Sequence, residues 1–409
     1  MTQDAAALRQ YALVTGNYWA FTLTDGALRM LVVLYFHQLG YAPLAIALLF
    51  LFYEFFGIVT NLVGGWLGAR IGLNRTMNMG LALQVLALGM LAVPPEWLSV
   101  GYVMAAQALS GIAKDLNKMS AKSSVKLLAG SAGDAGLYRW VALLTGSKNA
   151  LKGVGFFLGG ALLAGFGFQQ ALLTMAALLA LILGASLLLL QRDLGVAKHK
   201  AKFRDIFSKS RAINLLSAAR LFLFGARDIW FVVALPVFMS AQLGWSHAGV
   251  GAFMACWVIG YGVVQGLAPA LTGKRAQRPP DGAAALQWAL LLTLVPAAIA
   301  LGLNWLPTAP LLLGGLLLFG VVFALNSALH SYLILAYSSA DGVSLDVGFY
   351  YMANAAGRLL GTLLSGWLYQ QWGMAACLWG SAAMLLLTVL ISTALPRLSP
   401  CREAQKSPR

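Results

Sequence analysis

Long apolar runs alternate along this chain with short polar connections. A bilayer core about 30 Å thick needs about 20 apolar residues per helical crossing. The pattern predicts twelve spanning helices at about 11–36, 43–68, 75–93, 98–120, 138–162, 171–191, 213–239, 246–270, 283–303, 309–335, 345–370 and 374–395. A spanning β-barrel would instead show alternating ten-residue strands. The fold class is therefore an all-α membrane protein. The first apolar stretch follows ten mostly polar residues and is too long for a removable signal, so it reads as a span. A polar stretch at 192–212 splits the spans six and six. It predicts an N-terminal bundle over 1–191, a linker over 192–212, and a C-terminal bundle with its tail over 213–409.

The two halves read as repeats. Gln38-Leu39-Gly40-Tyr41 recurs as Gln242-Leu243-Gly244-Trp245 at the first outer turn of each half. Gly65 and Gly72 recur as Gly266 and Gly273. Lys152, Gly155, Gly160 and Gly167 match Arg358, Gly361, Gly366 and Gly373 at one constant offset of 206. A glycine match is cheap in a chain with 44 glycines, but a shared offset that includes a basic residue is less so. Two pseudo-symmetric six-helix halves are a transporter pattern, with the substrate site near the midplane between them.

Composition agrees and adds direction. Sixty per cent of residues are hydrophobic, 10% are charged, and the mean hydropathy is +0.78. Soluble domains carry about 25% charged residues. The formal charge is nonetheless +15. A nucleic-acid binder would set basic clusters on a polar background, which is absent here. Taking the N-terminus as cytoplasmic, the outer connections around 37–42, 94–97, 165–170, 241–247, 304–310 and 370–373 hold no Lys or Arg. The inner ones hold Arg70, Arg75, Lys118, Lys122, Lys126, Lys274, Arg275 and Arg278. The linker adds Arg192, Lys198, Lys200, Lys202, Arg204, Lys209 and Arg211. This asymmetry predicts cytoplasmic termini. In the linker, Phe203, Ile206 and Phe207 lie opposite the basic residues, which suits a short helix on an anionic membrane face.

Several stretches resemble the major facilitator superfamily. Its signature after the second span, roughly G-x-L-x-D-R-x-G-R-K, is matched by Gly65, Leu67, Arg70 and Gly72, with Ala69 in place of the Asp. Its antiporter signature G-P-x-x-G-G is matched at Gly155, Gly159 and Gly160, without the Pro. The resemblance implies two six-helix bundles and transport by alternating access.

Charges inside spans are costly and mark a pathway or a site. Seven cations lie there: Arg29, Lys114, Lys148, Lys152, Arg220, Arg227 and Arg358. Four acids accompany them: Asp25, Glu54, Asp115 and Asp228. Asp25 and Arg29 are spaced i, i+4 and predict a local pair. Lys118 sits near an inner end and is expected to snorkel to water. Lys148 and Lys152 stack on one face beside Asn149, with no local acid. Arg220 and Arg227 share a face. Asn354 and Arg358 do likewise, and Arg358 is the repeat partner of Lys152. A cation at equivalent depth in each half suits an anionic cargo, because Arg recognises oxyanions with paired donors and Lys supplies compact charge. Asn326 and His330 are i, i+4 and offer further hydrogen bonds, although a lone intramembrane His is more often a packed residue. Asp25, Glu54, Asp115 and Asp228 are candidates for proton coupling or charge pairing.

Three stretches closely resemble one group within the superfamily, the organoarsenical efflux permeases of bacterial arsenic-resistance operons. They are Thr15–Arg29 (TGNYWAFTLTDGALR), Ser110–Ser120 (SGIAKDLNKMS) and Leu144–Gly153 (LTGSKNALKG). The resemblance implies export of 1-arseno-3-phosphoglycerate from a bacterial inner membrane by a monomer. It also implies a functional partner, a glyceraldehyde-3-phosphate dehydrogenase that uses arsenate in place of phosphate. Trivalent arsenic would call for paired soft thiolates. Cys256, Cys377 and Cys401 are dispersed, which favours a pentavalent oxyanion cargo. The same cations fit an organophosphate or phosphate-type anion permease or exchanger. A membrane enzyme or receptor for a phosphorylated compound ranks last, because the sequence offers no acid pair, metal cluster or large soluble domain. Gly273-Lys274-Arg275 lacks the rest of a P-loop, and neither a metal nor a cofactor is expected.

Overall fold

The computed structural model describes residues 3–40, 49–128, 133–190, 194–196, 210–245, 247–272, 280–339 and 342–397. Most of the linker, including Arg192, Lys198, Lys200, Lys202, Arg204 and Lys209 and the short helix expected around Phe203, Ile206 and Phe207, lies outside the described residues, as do Lys274, Arg275, Arg278 and Cys401. In the N-terminal half, α1 (Gln3–Gln38), α2 (Leu51–Ile71), α3 (Leu73–Leu91) and α4 (Val100–Leu128) precede α5 (Gly133–Leu189). In the C-terminal half, α6 (Arg211–Phe231) and α7 (Ala234–Ala241) lead to α8 (His247–Thr272), α9 (Gly282–Gly302), α10 (Thr308–Tyr337) and α11 (Val343–Ser392). A short 3-10 turn, Pro95–Trp97, joins α3 to α4. The described residues contain no strand. Helices satisfy their own backbone polar groups, which is what a hydrocarbon environment demands.

Two of these helices are each two crossings. The helix α5 turns back at Gly167 (φ 73°, ψ 175°), and α11 does so at Gly373 (φ 73°, ψ −165°). Only glycine adopts such a conformation without strain. The two breaks are 206 residues apart, the repeat offset read from the sequence. Counted this way, and with α6 and α7 as one interrupted crossing, the described helices supply twelve crossings. Seven helices are long and apolar enough to cross a membrane by length and composition alone. The remainder, α2, α3 and α4, are interrupted by polar and charged residues such as Glu54 and Asn61, Asn74 and Arg75, and Lys114 to Lys126.

The interruption between α6 and α7 has a local cause. Pro236 has no N–H for the carbonyl four residues back, and its ring crowds that turn. The Ala234 N–H donates instead to Ser365 Oγ on α11 at 3.1 Å.

Buried apolar residues fall into three clusters. One, from Phe21 to Leu179, lies wholly within the N-terminal half. Another, from Leu223 to Leu385, lies wholly within the C-terminal half. The third combines Tyr11, Leu73, Leu128 and Tyr138 with Ile213, Leu329, Tyr332 and Val343. This mixed cluster sits where α1 begins and α11 finishes, here called the terminal end. Tyr138 reaches Thr272 at 3.0 Å there, and its ring lies 5.1 Å from that of Tyr332. The bundles thus meet through the terminal end, along α2–α11 and α5–α8.

Candidate functional site

The contact that aligns the site begins with glycines. In the N-terminal half, Gly26 of α1 lies against Gly155 of α5; a Cβ on Gly155 would stand 3.1 Å from the Gly26 Cα. In the C-terminal half, Gly225 of α6 lies against Gly361 of α11 in the same manner, at 3.0 Å. Gly155 and Gly361 are repeat partners. Counting three residues from each contact gives Arg29 and Lys152 in one half, Asp228 and Arg358 in the other.

Those equivalent places carry opposite electrostatics. Asp228 and Arg358 form an ion pair, with Arg358 Nε donating to Asp228 Oδ2 at 3.2 Å. Arg29 and Lys152 are both cations. Arg29 finds an acid elsewhere, Glu54 of α2, at 3.1 Å. Among the described residues Lys152 and Lys148 have no hydrogen-bond or ion-pair partner. Lys152 lies within electrostatic reach of the cations Arg29, Lys114 and Arg358 and of the acids Asp25 and Glu54. Those acting on Lys148 are Lys152, Lys118, Arg358 and Lys114, all cations.

Arg358 bridges the halves. It pairs with Asp228 on its own side and with Glu54 Oε1, across the interface, at 3.5 Å. Arg227 Nε donates to Asp228 Oδ1 at 2.6 Å, so both Asp228 oxygens are engaged. Arg358→Gln removes one of the two cations paired with Glu54 and one of the two paired with Asp228. With Arg358 and Glu54 each 35% exposed, the expected loss lies between the surface value, under about 1 kcal/mol, and the buried value, about 3–5 kcal/mol. A double-mutant cycle with Glu54→Gln checks it. Thermal unfolding of the detergent-solubilised variants should show coupling of at least about 0.5 kcal/mol, and strict additivity would refute the bridge.

Aromatic rings hold several cations in place. Lys114 Nζ sits 3.7 Å from the centre of the Tyr53 ring, and Arg29 lies 4.8 Å from the same ring and 5.1 Å from that of Phe50. The Tyr53 hydroxyl donates to Asp25 Oδ1 at 2.6 Å. Asp25 is therefore engaged by Tyr53, and the ion-pair partner of Arg29 is Glu54 rather than the expected Asp25. Tyr53 and Phe50 were missed in the sequence; their only signal is an aromatic run beside Glu54.

Two lysines depart from expectation because α4 runs on to Leu128. Lys118, its side chain 13% exposed, turns inward instead, binding Asp115 Oδ1 at 2.5 Å and lying over the Tyr351 ring. Lys114 is 3.9 Å from the other Asp115 oxygen. Lys122, read as part of an inner connection, is 3% exposed within the helix.

Arg220 stands apart from this group. Its Nε donates to Asn354 Oδ1 at 2.9 Å and its Nη1 to Ser327 Oγ at 3.2 Å, while Phe224 packs 3.8 Å from its Cζ. Asn149 donates across the interface to Gln265 Oε1 at 2.7 Å, and Gln265 donates onward to Ser327. Asn326 is fully buried and spends its amide N–H groups on the carbonyls of Trp288 and Val322. His330 is buried with neither ring nitrogen hydrogen-bonded. Among the described residues no group of His, Cys, Asp and Glu could hold a metal.

The sequence model of the Major Facilitator Superfamily matches residues 14–278 and 216–409, nearly the whole chain. The chain belongs to the major facilitator superfamily. This facilitator is accordingly a multi-pass membrane transporter of a small molecule, not an enzyme. Solved structures share its fold at low identity. The human organic anion transporter MFSD10 (TETRAN) superposes with a TM-score of 0.74 at 19% identity, covering 94% of this chain and 99% of that one. A bacterial homologue of the iron transporter ferroportin, in an outward-facing state, gives 0.74 at 14% identity, with 94% and 98% covered. The transporter FucP in its outward conformation gives 0.73 at 9% identity, with 96% and 100% covered. No curated protein matches the facilitator.

Proposed function

We propose that this facilitator is a secondary exporter of a small multivalent anion, bound between its halves by Lys148 and Lys152 with Arg29, Lys114 and Arg358 around them. The observation that carries the reading is the broken symmetry at Lys152. Its C-terminal counterpart Arg358 has an acid, Asp228, at the place where Arg29 stands in the N-terminal half, and Lys152 has no ion-pair partner among the described residues. A like-charge pair in a low-dielectric setting is costly unless an anion joins it. Nine basic side chains on α1, α4, α5, α6 and α11 (Arg29, Lys114, Lys118, Lys122, Lys148, Lys152, Arg220, Arg227 and Arg358) face four carboxylates, so a bound polyanion restores balance. Arg358 then exchanges a carboxylate of Glu54 for one of the cargo, which couples binding to the contact between halves.

Within that class the cargo is 1-arseno-3-phosphoglycerate, made by a glyceraldehyde-3-phosphate dehydrogenase acting on arsenate. Support comes from the three stretches around Asp25, Lys114 and Lys152. The ester's several negative charges also suit the surplus cations. The protein would act as a monomer in a bacterial inner membrane, termini in the cytoplasm, with halves bounded at 191 and 213. Asp25, Glu54, Asp115 and Asp228 would serve charge pairing or proton coupling.

Everted vesicles with the dehydrogenase, NAD+ as the hydride acceptor, arsenate and glyceraldehyde 3-phosphate supply the test. Accumulation of arsenic inside wild-type vesicles, absent without arsenate-ester formation, is the expected outcome. No accumulation above empty vesicles overturns the arsenical reading. A second reading, an organophosphate permease, rests on the same unpaired lysines. Uptake of phosphoglycerate without arsenic would favour it.

A further inference from the structure

Lys122 is a buried cation that the binding cluster leaves unused. It is 3% exposed, and its Nζ has no hydrogen-bond or ion-pair partner among the described residues. It extends a stripe on α4. Lys114, Lys118 and Lys122 follow one another at four-residue intervals, which places them along one side of the helix. Asp115, the one acid of α4, serves the first two, at 3.9 Å and 2.5 Å. Lys122 stands one turn farther towards the terminal end.

The helix face that carries it closes on the other half. At about 100° per residue, Lys122 falls between Lys118 and Met119 around α4. Both of those neighbours touch α11. Lys118 Nζ lies 4.7 Å from the centre of the Tyr351 ring, and Met119 Sδ accepts from Ser344 Oγ at 3.8 Å. The same Ser344 hydroxyl reaches the Gly65 carbonyl, so this is the seam of α2 and α4 with α11. Val125, three residues on and on the same side, is fully buried in the cluster shared by both halves.

An ammonium enclosed without an acceptor destabilises this closed end. A Met of similar length would fill the volume without that penalty. The charge gains an interaction only when the seam parts and water reaches this side of α4. From there the stripe leads inward, through Lys118 to Lys114, whose Nζ lies 3.7 Å from the Tyr53 ring that also carries Arg29 at 4.8 Å. Cations thus run from the terminal end into the binding cluster.

We propose that Lys122 is the entry contact for the anion. With the terminal end open, its ammonium draws a phosphate-like oxyanion from the water on that side and delivers it along α4 to Lys118 and Lys114. That this anion is the cargo rests on the export reading above; the attraction itself does not. In the closed state the same charge weakens the seam, so it also favours opening.

Charged thiol reagents on the full-length protein in phosphatidylcholine nanodiscs test this. Val125→Cys supplies the reporter, and peptide mapping by mass spectrometry separates it from the native cysteines. It is read with the natural glycines and with Gly65→Ala plus Gly146→Ala, whose added Cβ atoms crowd backbone across the seams. The two reagents are methanethiosulfonates, one bearing a sulfonate and the other a trimethylammonium group. Val125→Cys should react faster in the crowded-seam background. A unit charge about 7 Å away in water changes each rate about 2- to 3-fold, in opposite senses for the two reagents. Adding Lys122→Met should therefore lower the anionic-to-cationic rate ratio about fivefold or more. Lys122→Met alone should also raise Tm. A ratio unchanged by Lys122→Met overturns the entry contact even if Tm rises, because the charge would then act on the fold alone. No reaction at Val125→Cys in either background overturns it as well. Uptake in everted vesicles brings in the cargo: Lys122→Met should raise the KM roughly tenfold, and an unchanged KM overturns the role towards cargo. Vesicles that take up nothing remove the export reading and leave the reagent ratio to decide Lys122 by itself.

Discussion

Lys148→Met and Lys152→Met each cut the initial rate of anion transport roughly 10- to 100-fold, and the double variant falls to background. A charge-assisted hydrogen bond contributes about 1.5–3 kcal/mol, and each 1.36 kcal/mol is tenfold in rate. The sharper part of the expectation concerns stability. Neither ammonium has a partner among the described residues, and the charges acting on Lys148 are all cations. Removing either charge therefore breaks no ion pair and relieves repulsion among the cations, while Asp25 and Glu54, which feel Lys152, keep Tyr53 and Arg29 as direct partners. The variants should reach the membrane at wild-type levels and unfold at the same temperature or higher. Arg358→Gln differs, because it breaks two ion pairs, leaving Glu54 with Arg29 alone and Asp228 with Arg227 alone. Initial rates in everted vesicles, with expression measured by in-membrane fluorescence, check both halves of this. Wild-type rates in the double variant would mean that the lysines serve only the fold.

Much of this architecture is legible in the sequence because a bilayer imposes it. Apolar length gives the crossings, and the 206-residue offset gives the positions of the breaks at Gly167 and Gly373. The break at Pro236 has a signal in the chain, yet α4's extension past Lys122 does not. Lysines at 118, 122 and 126 look like a basic connection when only their charge is read. Their neighbours Met119, Ala121, Ser123 and Val125 are buried and small or apolar, so the helix continues into the cluster shared by both halves. Pairing is the least legible feature. Asp25 and Arg29 have suitable spacing for a local pair, but Tyr53 and Glu54 arrive from α2 and take one each. Which acid meets which base depends on helix packing, and that is set by Gly26 against Gly155 and Gly225 against Gly361. A glycine contact of this kind is invisible among 44 glycines until the helices are placed.

The same property makes the second large effect predictable. Gly65→Ala together with Gly146→Ala should drive the protein out of the closed terminal end seen here. A Cβ on Gly65 would stand 2.6 Å from the Ser344 carbonyl oxygen and 3.0 Å from the Gly348 Cα. One on Gly146 would stand 2.6 Å from both the Gly262 carbonyl oxygen and the Gly266 Cα. The obstructing atoms are backbone, so no rotamer change relieves the clash. The first contact joins α2 to α11 and the second joins α5 to α8, the two seams through which the halves meet. Overpacking a tight contact costs about 1–3 kcal/mol. In alternating access the seams part in the opposite state, so the penalty falls on one state alone. Each substitution should then shift the equilibrium by roughly 5- to 150-fold toward opening at the terminal end. Spin labels at that end of α2 and α11, read by pulsed electron-spin distance measurement, should move from a short to a long distance. Gly89→Ala and Gly251→Ala, where a Cβ meets nothing within 4 Å, serve as controls and should leave the distance unchanged. If the Gly65/Gly146 variant keeps the short distance, these seams do not set the conformation.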